Sequence, residues 1–167
     1  MSPKRVVFLM SDTGAGHRAA SEAIRAALDA SYPGAYTFDL VDVYRDYTPF
    51  PFNRLPELYP LWVNYAPATW SLSYRAADAP ARSQWVMAAF QRLWRAGSRC
   101  LVAEHPADVV VSVHALFSRP IMHAYRTSQS QRPPFVTVIT DLVATHAFWY
   151  EPQVERCLVP TQAAYER

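Results

Sequence analysis

Apolar positions come in short runs separated by longer stretches with helical spacing. Val6 to Met10 are five consecutive apolar residues inside the run Arg5 to Ser11, the pattern of a strand buried on both faces. Tyr36 to Val43 alternates and is rich in strand-forming types, and Asp108 to Val113 is a β-branched run. Phe135 to Thr140 closes on Asp141, and Arg156 to Val159 is a short fifth strand before Pro160 and Thr161. Between the first two strands, Gly16 to Ala30 places Ala20, Ala23, Ile24, Ala27 and Leu28 at helical spacing, and Pro33 and Gly34 end that helix. Phe117 to Arg126 predicts another helix, and Pro80 to Glu104 a long one in which Trp85, Ala89, Leu93 and Trp94 recur while Arg92, Arg95 and Arg99 fall on another side. Strands alternating with helices predict the α/β class, a Rossmann-like parallel sheet flanked by helices.

One segment breaks the alternation. From Tyr44 to Tyr74, nine of 31 residues are aromatic and five are proline (Pro49, Pro51, Pro56, Pro60 and Pro67), which excludes both one long helix and a central strand. We read it, with the helix that follows, as an aromatic and helical insertion over about 44–104, between strands 2 and 3. The 167 residues suit one domain rather than two. A net charge of +2 and the lack of a Lys/Arg run argue against nucleic acid as a partner. Cys100 and Cys157 have no CxxC spacing and are expected as small buried hydrophobes in a reducing compartment. The apolar run after Lys4 and Arg5 is too short for a signal peptide, and no stretch of about 18 apolar residues could span a bilayer. The expected location is therefore cytoplasmic, with attachment to a membrane from one side.

Ligands bind such sheets beyond the carboxyl ends of the strands. The polar residues placed there are Ser11, Asp12, Thr13 and His17 after the first strand, His114 after the third, and Asp141 with His146 after the fourth. In SDTGAGHRAA, Gly14 and Gly16 allow a sharp turn and a close backbone approach, and the helix that follows offers free N–H groups to a phosphate or oxyanion. The stretch lacks the third glycine of the dinucleotide fingerprint and the Gly-Lys-Ser/Thr of a Walker loop. His17 falls in the first helical turn, where the dipole disfavours the imidazolium and leaves a neutral base. A glycine turn that merely docks the helix, and a histidine that merely caps it, remain open alternatives. The histidine and aspartate spacing matches no metal motif, so no metal is expected, and His105 and His123 read as structural.

SDTGAGHRAASEAI resembles the opening of the monogalactosyldiacylglycerol synthase and processive diacylglycerol glucosyltransferase family. VVVSVHALFSRP is similar to that family's third strand with its histidine, although Ala115 stands where the family commonly has proline. VTVITDLVATHAFWY followed by ERCLVPT resembles its Thr-Asp strand end, aromatic loop and Pro-Thr exit. The resemblance implies the N-terminal, acceptor-side half of a GT-B glycosyltransferase that transfers a hexose from a UDP-sugar to diacylglycerol with inversion. It implies no metal and no cofactor beyond the UDP-sugar substrate, whose C-terminal binding domain lies outside these residues, on the same or another chain. The stretch alone is expected to be inactive. Carried over, His17 is the base that deprotonates the acceptor, and Asp12, Thr13, Gly14, Gly16, His114, Asp141 and His146 line the acceptor and phosphate side. Phe50, Phe52, Trp62 and Trp70, with Arg92, Arg95 and Arg99, are expected to meet an anionic membrane surface. A transferase acting on a polyprenyl-linked sugar, or a non-catalytic membrane- or ligand-binding module, are the other two readings.

Overall fold

The computed structural model describes residues 2–128 and 131–166. Five parallel strands, β1 (Lys4–Met10), β2 (Tyr36–Asp42), β3 (Val109–Ser112), β4 (Phe135–Val138) and β5 (Arg156–Leu158), form one sheet in the order β2-β1-β3-β4-β5. The expected α/β, Rossmann-like architecture is thus the observed one. Successive side chains of a strand face opposite ways. Val7 and Leu9 of β1 therefore enter one core with Val110, Leu101 and Ile121, while Val6, Phe8 and Met10 enter the other with Val111 and Val113. Helix α1 (Ala15–Ser31) covers the second core through Ala20 and Ile24.

The insertion is a set of short helices: α2 (Val43–Tyr47), α3 (Leu55–Tyr65), α4 (Pro67–Ala77), α5 (Pro80–Leu93) and α6 (Arg95–Glu104). Three of its prolines start helices rather than break them, since the first turn has no N–H to lose. Helix α7 (Ser118–Ser128) joins α6 over the first core, and a short α8 (Gln162–Tyr165) follows β5.

Three expectations need correction. The single helix over Pro80–Glu104 is two, α5 and α6, because the chain turns at Trp94, which is buried and stacks on Phe90 at 4.7 Å. Of the stripe Trp85, Ala89, Leu93 and Trp94, only Trp94 is buried; Trp85 is 79% exposed because Ser83 and Met87 occupy the inward face of α5. Cys100 and Cys157 are both exposed. Cys100 lies on the outer side of α6, opposite Leu101 and Val102, and donates its thiol hydrogen to Glu104 at 3.0 Å; Cys157 sits on the open edge strand.

Candidate functional site

The strand order reverses between β1 and β3, and this is where a doubly wound sheet opens its crevice. The loop after β1 turns on Gly14, whose φ of 107° only glycine adopts without strain, and which precedes α1 with no side-chain cap. The first N–H groups of α1 are therefore not claimed by a side chain of the cap residue. Gly16 has open space where a Cβ would stand. Thr13 is fixed through its N–H, which donates to Ser11 Oγ at 3.1 Å. Asp12 does not reach into the crevice as a free carboxylate: Arg18 donates to both of its oxygens at 2.8 Å and holds its carboxyl below the usual range.

His17 and His114 meet across the β1–β3 boundary with ring centroids 4.7 Å apart. His17 Nδ1 lies 2.7 Å from the carbonyl oxygen of Val113 and 3.4 Å from Thr140 Oγ1. A carbonyl can only accept, so Nδ1 carries the proton and Nε2 holds the lone pair. Burial lowers the His17 pKa most, while the Val113 carbonyl and the Asp141 charge pull it back up. The downward shift expected for His17 is found, and its leading cause is desolvation. His114 is 8% exposed, lies flat on Phe117 at 4.2 Å and meets the edge of Tyr44 at 5.4 Å. Burial and the nearby His17 push its pKa well below the ordinary histidine value.

These two shifts give stability a pH dependence. Both rings bind protons less readily when folded, so the unfolded chain takes up more protons below the ordinary value of 6.5 and stability falls as pH drops through that range. His114→Phe, which keeps a flat ring against Phe117, is expected to show a smaller loss of Tm between pH 7 and 5 than the parent. Parallel acid slopes in calorimetry would contradict this.

Asp141 follows β4 and accepts the indole N–H of buried Trp149 at 2.7 Å, so one oxygen is held and the charge stays near His17. The same charge, after burial, raises the Tyr59 pKa, which brings α3 of the insertion within its electrostatic reach. His146 has a different place from the one expected. Its Nδ1 accepts from Phe148 N–H and its Nε2 lies 3.1 Å from the Tyr74 carbonyl, so both nitrogens face backbone groups and the ring latches α4 to the loop after β4. Asp78 adds a bond from Ala147 N–H at 2.8 Å. The residues that sequence reasoning missed are Thr140, Trp149, Arg18 and the Val113 carbonyl. A carbonyl has no side-chain signature, and Arg18 reads as an ordinary helix residue until Asp12 is seen beside it. No group of three or more His, Cys, Asp or Glu among the described residues is placed to hold a metal ion.

Of the expected membrane residues, Phe50 is 80% exposed, while Phe52 is half-buried against Phe90. Trp62 lies at the surface, its indole N–H donating to Thr69 at 2.8 Å. Trp70 is half-buried among Tyr59, Trp62 and Tyr74, so it organises the insertion more than it faces outward. Arg92, Arg95 and Arg99 are exposed. Leu58, Leu61 and Tyr65, one helical stripe of α3, are exposed as well. Cavities of about 410 Å³ and 640 Å³ lie beside the 147–152 loop, and neither is lined by His17 or His114.

The family model described as "Monogalactosyldiacylglycerol (MGDG) synthase" matches residues 17–167. The chain is 36% identical over 168 residues to the chloroplastic monogalactosyldiacylglycerol synthase of Spinacia oleracea, covering 99% of this chain and 32% of that protein. It is 34% identical over 166 residues to synthase 1 of Arabidopsis thaliana (99% and 31%) and 31% identical over 165 residues to synthase 3 of that plant (98% and 35%). The chain thus spans about a third of the length of these curated relatives.

Proposed function

Because this chain belongs to the monogalactosyldiacylglycerol synthase family, we propose that it forms the acceptor-binding, N-terminal half of an enzyme that transfers a hexose from a UDP-sugar to diacylglycerol with inversion. The observation that carries the reading is the geometry of His17. The Val113 carbonyl fixes the proton on Nδ1, and partial burial keeps the ring neutral, so Nε2 is ready to take a proton. In the reaction, Nε2 accepts the proton of the diacylglycerol hydroxyl as its oxygen bonds to the anomeric carbon, and the bond from that carbon to UDP breaks with its electron pair leaving on UDP. The α1 N-terminus beside Gly14 and Gly16 is suited to anionic charge at that edge. No metal or other cofactor takes part in this scheme. The sugar nucleotide is held chiefly by a further half outside these residues, so 1–167 alone would be silent. The test is transfer of labelled sugar from UDP-galactose and UDP-glucose to diacylglycerol in anionic vesicles, with the protein at its natural length. Label in the lipid extract supports the reading and names the sugar; none with either donor refutes it.

Reaching a bilayer acceptor asks for a surface-seeking element, and α3 has one. Among the described residues no helix is long and apolar enough to cross a membrane, so contact would be peripheral. In this reading Phe50, Trp62 and the Leu58–Leu61–Tyr65 stripe enter the headgroup boundary, with Arg92, Arg95 and Arg99 drawn to anionic lipid. The double variant Leu58→Ser, Leu61→Ser is expected to weaken flotation with anionic vesicles at least tenfold, since each leucine is already half-buried and burying the rest of both is worth about 1.5–3 kcal/mol together. Unchanged flotation at unchanged Tm would discard this surface.

A further inference from the structure

The two histidines at the β1–β3 boundary are held in opposite tautomers. The backbone N–H of Leu116 donates to His114 Nδ1 at 3.3 Å, so that nitrogen offers its lone pair and the proton of the neutral ring sits on Nε2. For His17 the assignment is reversed, because its Nδ1 faces a carbonyl. Nε2 of His114 has no hydrogen-bond partner among the described residues. It also does not belong to the sealed unpaired atoms of those residues, which are Asn53 Oδ1, Trp94 Nε1 and Tyr125 OH. The small exposure left to this buried ring is therefore available to its N–H. Stacking on Phe117 and the edge of Tyr44 leave the ring little freedom to turn. The result is one acceptor nitrogen and one donor N–H on two rings whose centroids are 4.7 Å apart.

We propose that His114 reads the acceptor lipid: its Nε2–H donates to the ester carbonyl on the glycerol carbon next to the reacting hydroxyl, while His17 Nε2 takes that hydroxyl's proton. This rests on the reading of the chain as a diacylglycerol glycosyltransferase half. A 1,2-diacylglycerol matches the pair, because it presents a hydroxyl proton to give and, one carbon along, a carbonyl oxygen to receive. An ether-linked 1,2-dialkylglycerol has the same hydroxyl and chains but no carbonyl, and would leave the buried N–H unmet. Such an unmatched donor costs a site more than the bond itself contributes. His114 thus sets which lipid is accepted, and His17 performs the proton transfer on whichever lipid is bound.

The experiment measures kcat/KM for the diester and the diether of equal chain length, in the same vesicles, with the protein at its natural length, its His114→Phe variant and its His114→Gln variant. The ratio of the two acceptors within one preparation is independent of how much of that preparation is folded. The parent is expected to prefer the diester about tenfold. His114→Phe, which keeps the flat contact with Phe117 and has no donor, is expected to bring the ratio close to one. His114→Gln, whose amide can place an N–H near the same position, should restore part of the preference. A parent indifferent to the carbonyl, or a His114→Phe variant that keeps the parent's ratio, would overturn the assignment. Equal slowing of both acceptors would also overturn it, since the N–H would then serve another partner such as the leaving diphosphate. If the parent transfers to neither lipid, the glycosyltransferase reading falls and this one with it, an outcome separate from the others.

Discussion

In the proposed reaction, His17→Ala is expected to lower kcat/KM for transfer to diacylglycerol by about a thousandfold, the midrange of what a positioned general base contributes. The fold should survive, because His17 is only partly buried and its one strong bond goes to a backbone carbonyl. The pH profile separates a base from a structural ring. A base works when unprotonated, and burial lowers the pKa of His17, so the acid limb of kcat/KM should fall below the ordinary value of 6.5. The carboxylate of Asp141 raises that pKa, so Asp141→Asn should move the limb to still lower pH. A limb that stays put in Asp141→Asn, or a His17→Ala variant within a few-fold of the parent, would remove His17 from the mechanism.

The largest expected loss of stability lies where α6 meets the end of α2. A Cβ at Gly97 would stand 1.7 Å from the Tyr47 carbonyl oxygen and 2.8 Å from its carbon, so α6 touches the end of α2 with no room for a methyl group. Helix propensity alone makes glycine to alanine favourable by about 1 kcal/mol. The collision is with backbone, which cannot swing aside, and overpacking of this kind costs about 3 kcal/mol. The net loss is about 2 kcal/mol, so Gly97→Ala is expected to lower Tm by about 4–8 °C for a domain of this size. Gly16→Ala is the control, since its Cβ meets open space and the change should leave Tm level or raise it slightly. A Gly97→Ala protein as stable as the parent would mean that the two helices do not pack as described.

The local elements were legible because each is written in nearest-neighbour chemistry. A run such as Val6 to Met10 can bury itself only as a strand covered on both faces, and it does. The glycine turn likewise announced itself, and Gly14 takes the positive φ that a tight strand-to-helix turn needs. The residues at the carboxyl ends of β1, β3 and β4 followed from those strand boundaries. Where a single stretch had to choose between faces, the reading failed. Trp85 and Leu93 share the spacing of a buried stripe, yet the inward side of α5 belongs to Ser83 and Met87, and Cys100 turned outward for the same reason.

The sequence by itself therefore determined the strands, the helices, the glycine-led loop and which polar residues stand at the strand ends, since these depend on contacts a few residues long. Tertiary structure decided what those polar residues do. Strand order is a property of the whole sheet, and only the placement of β1 next to β3 brings His17 against His114, 97 positions away in the chain. The partners that assign their protons, the Val113 carbonyl and the Leu116 N–H, are backbone groups present at nearly every residue. No side-chain pattern marks them, so the tautomers, and with them the division between base and donor, exist only once the chain is folded.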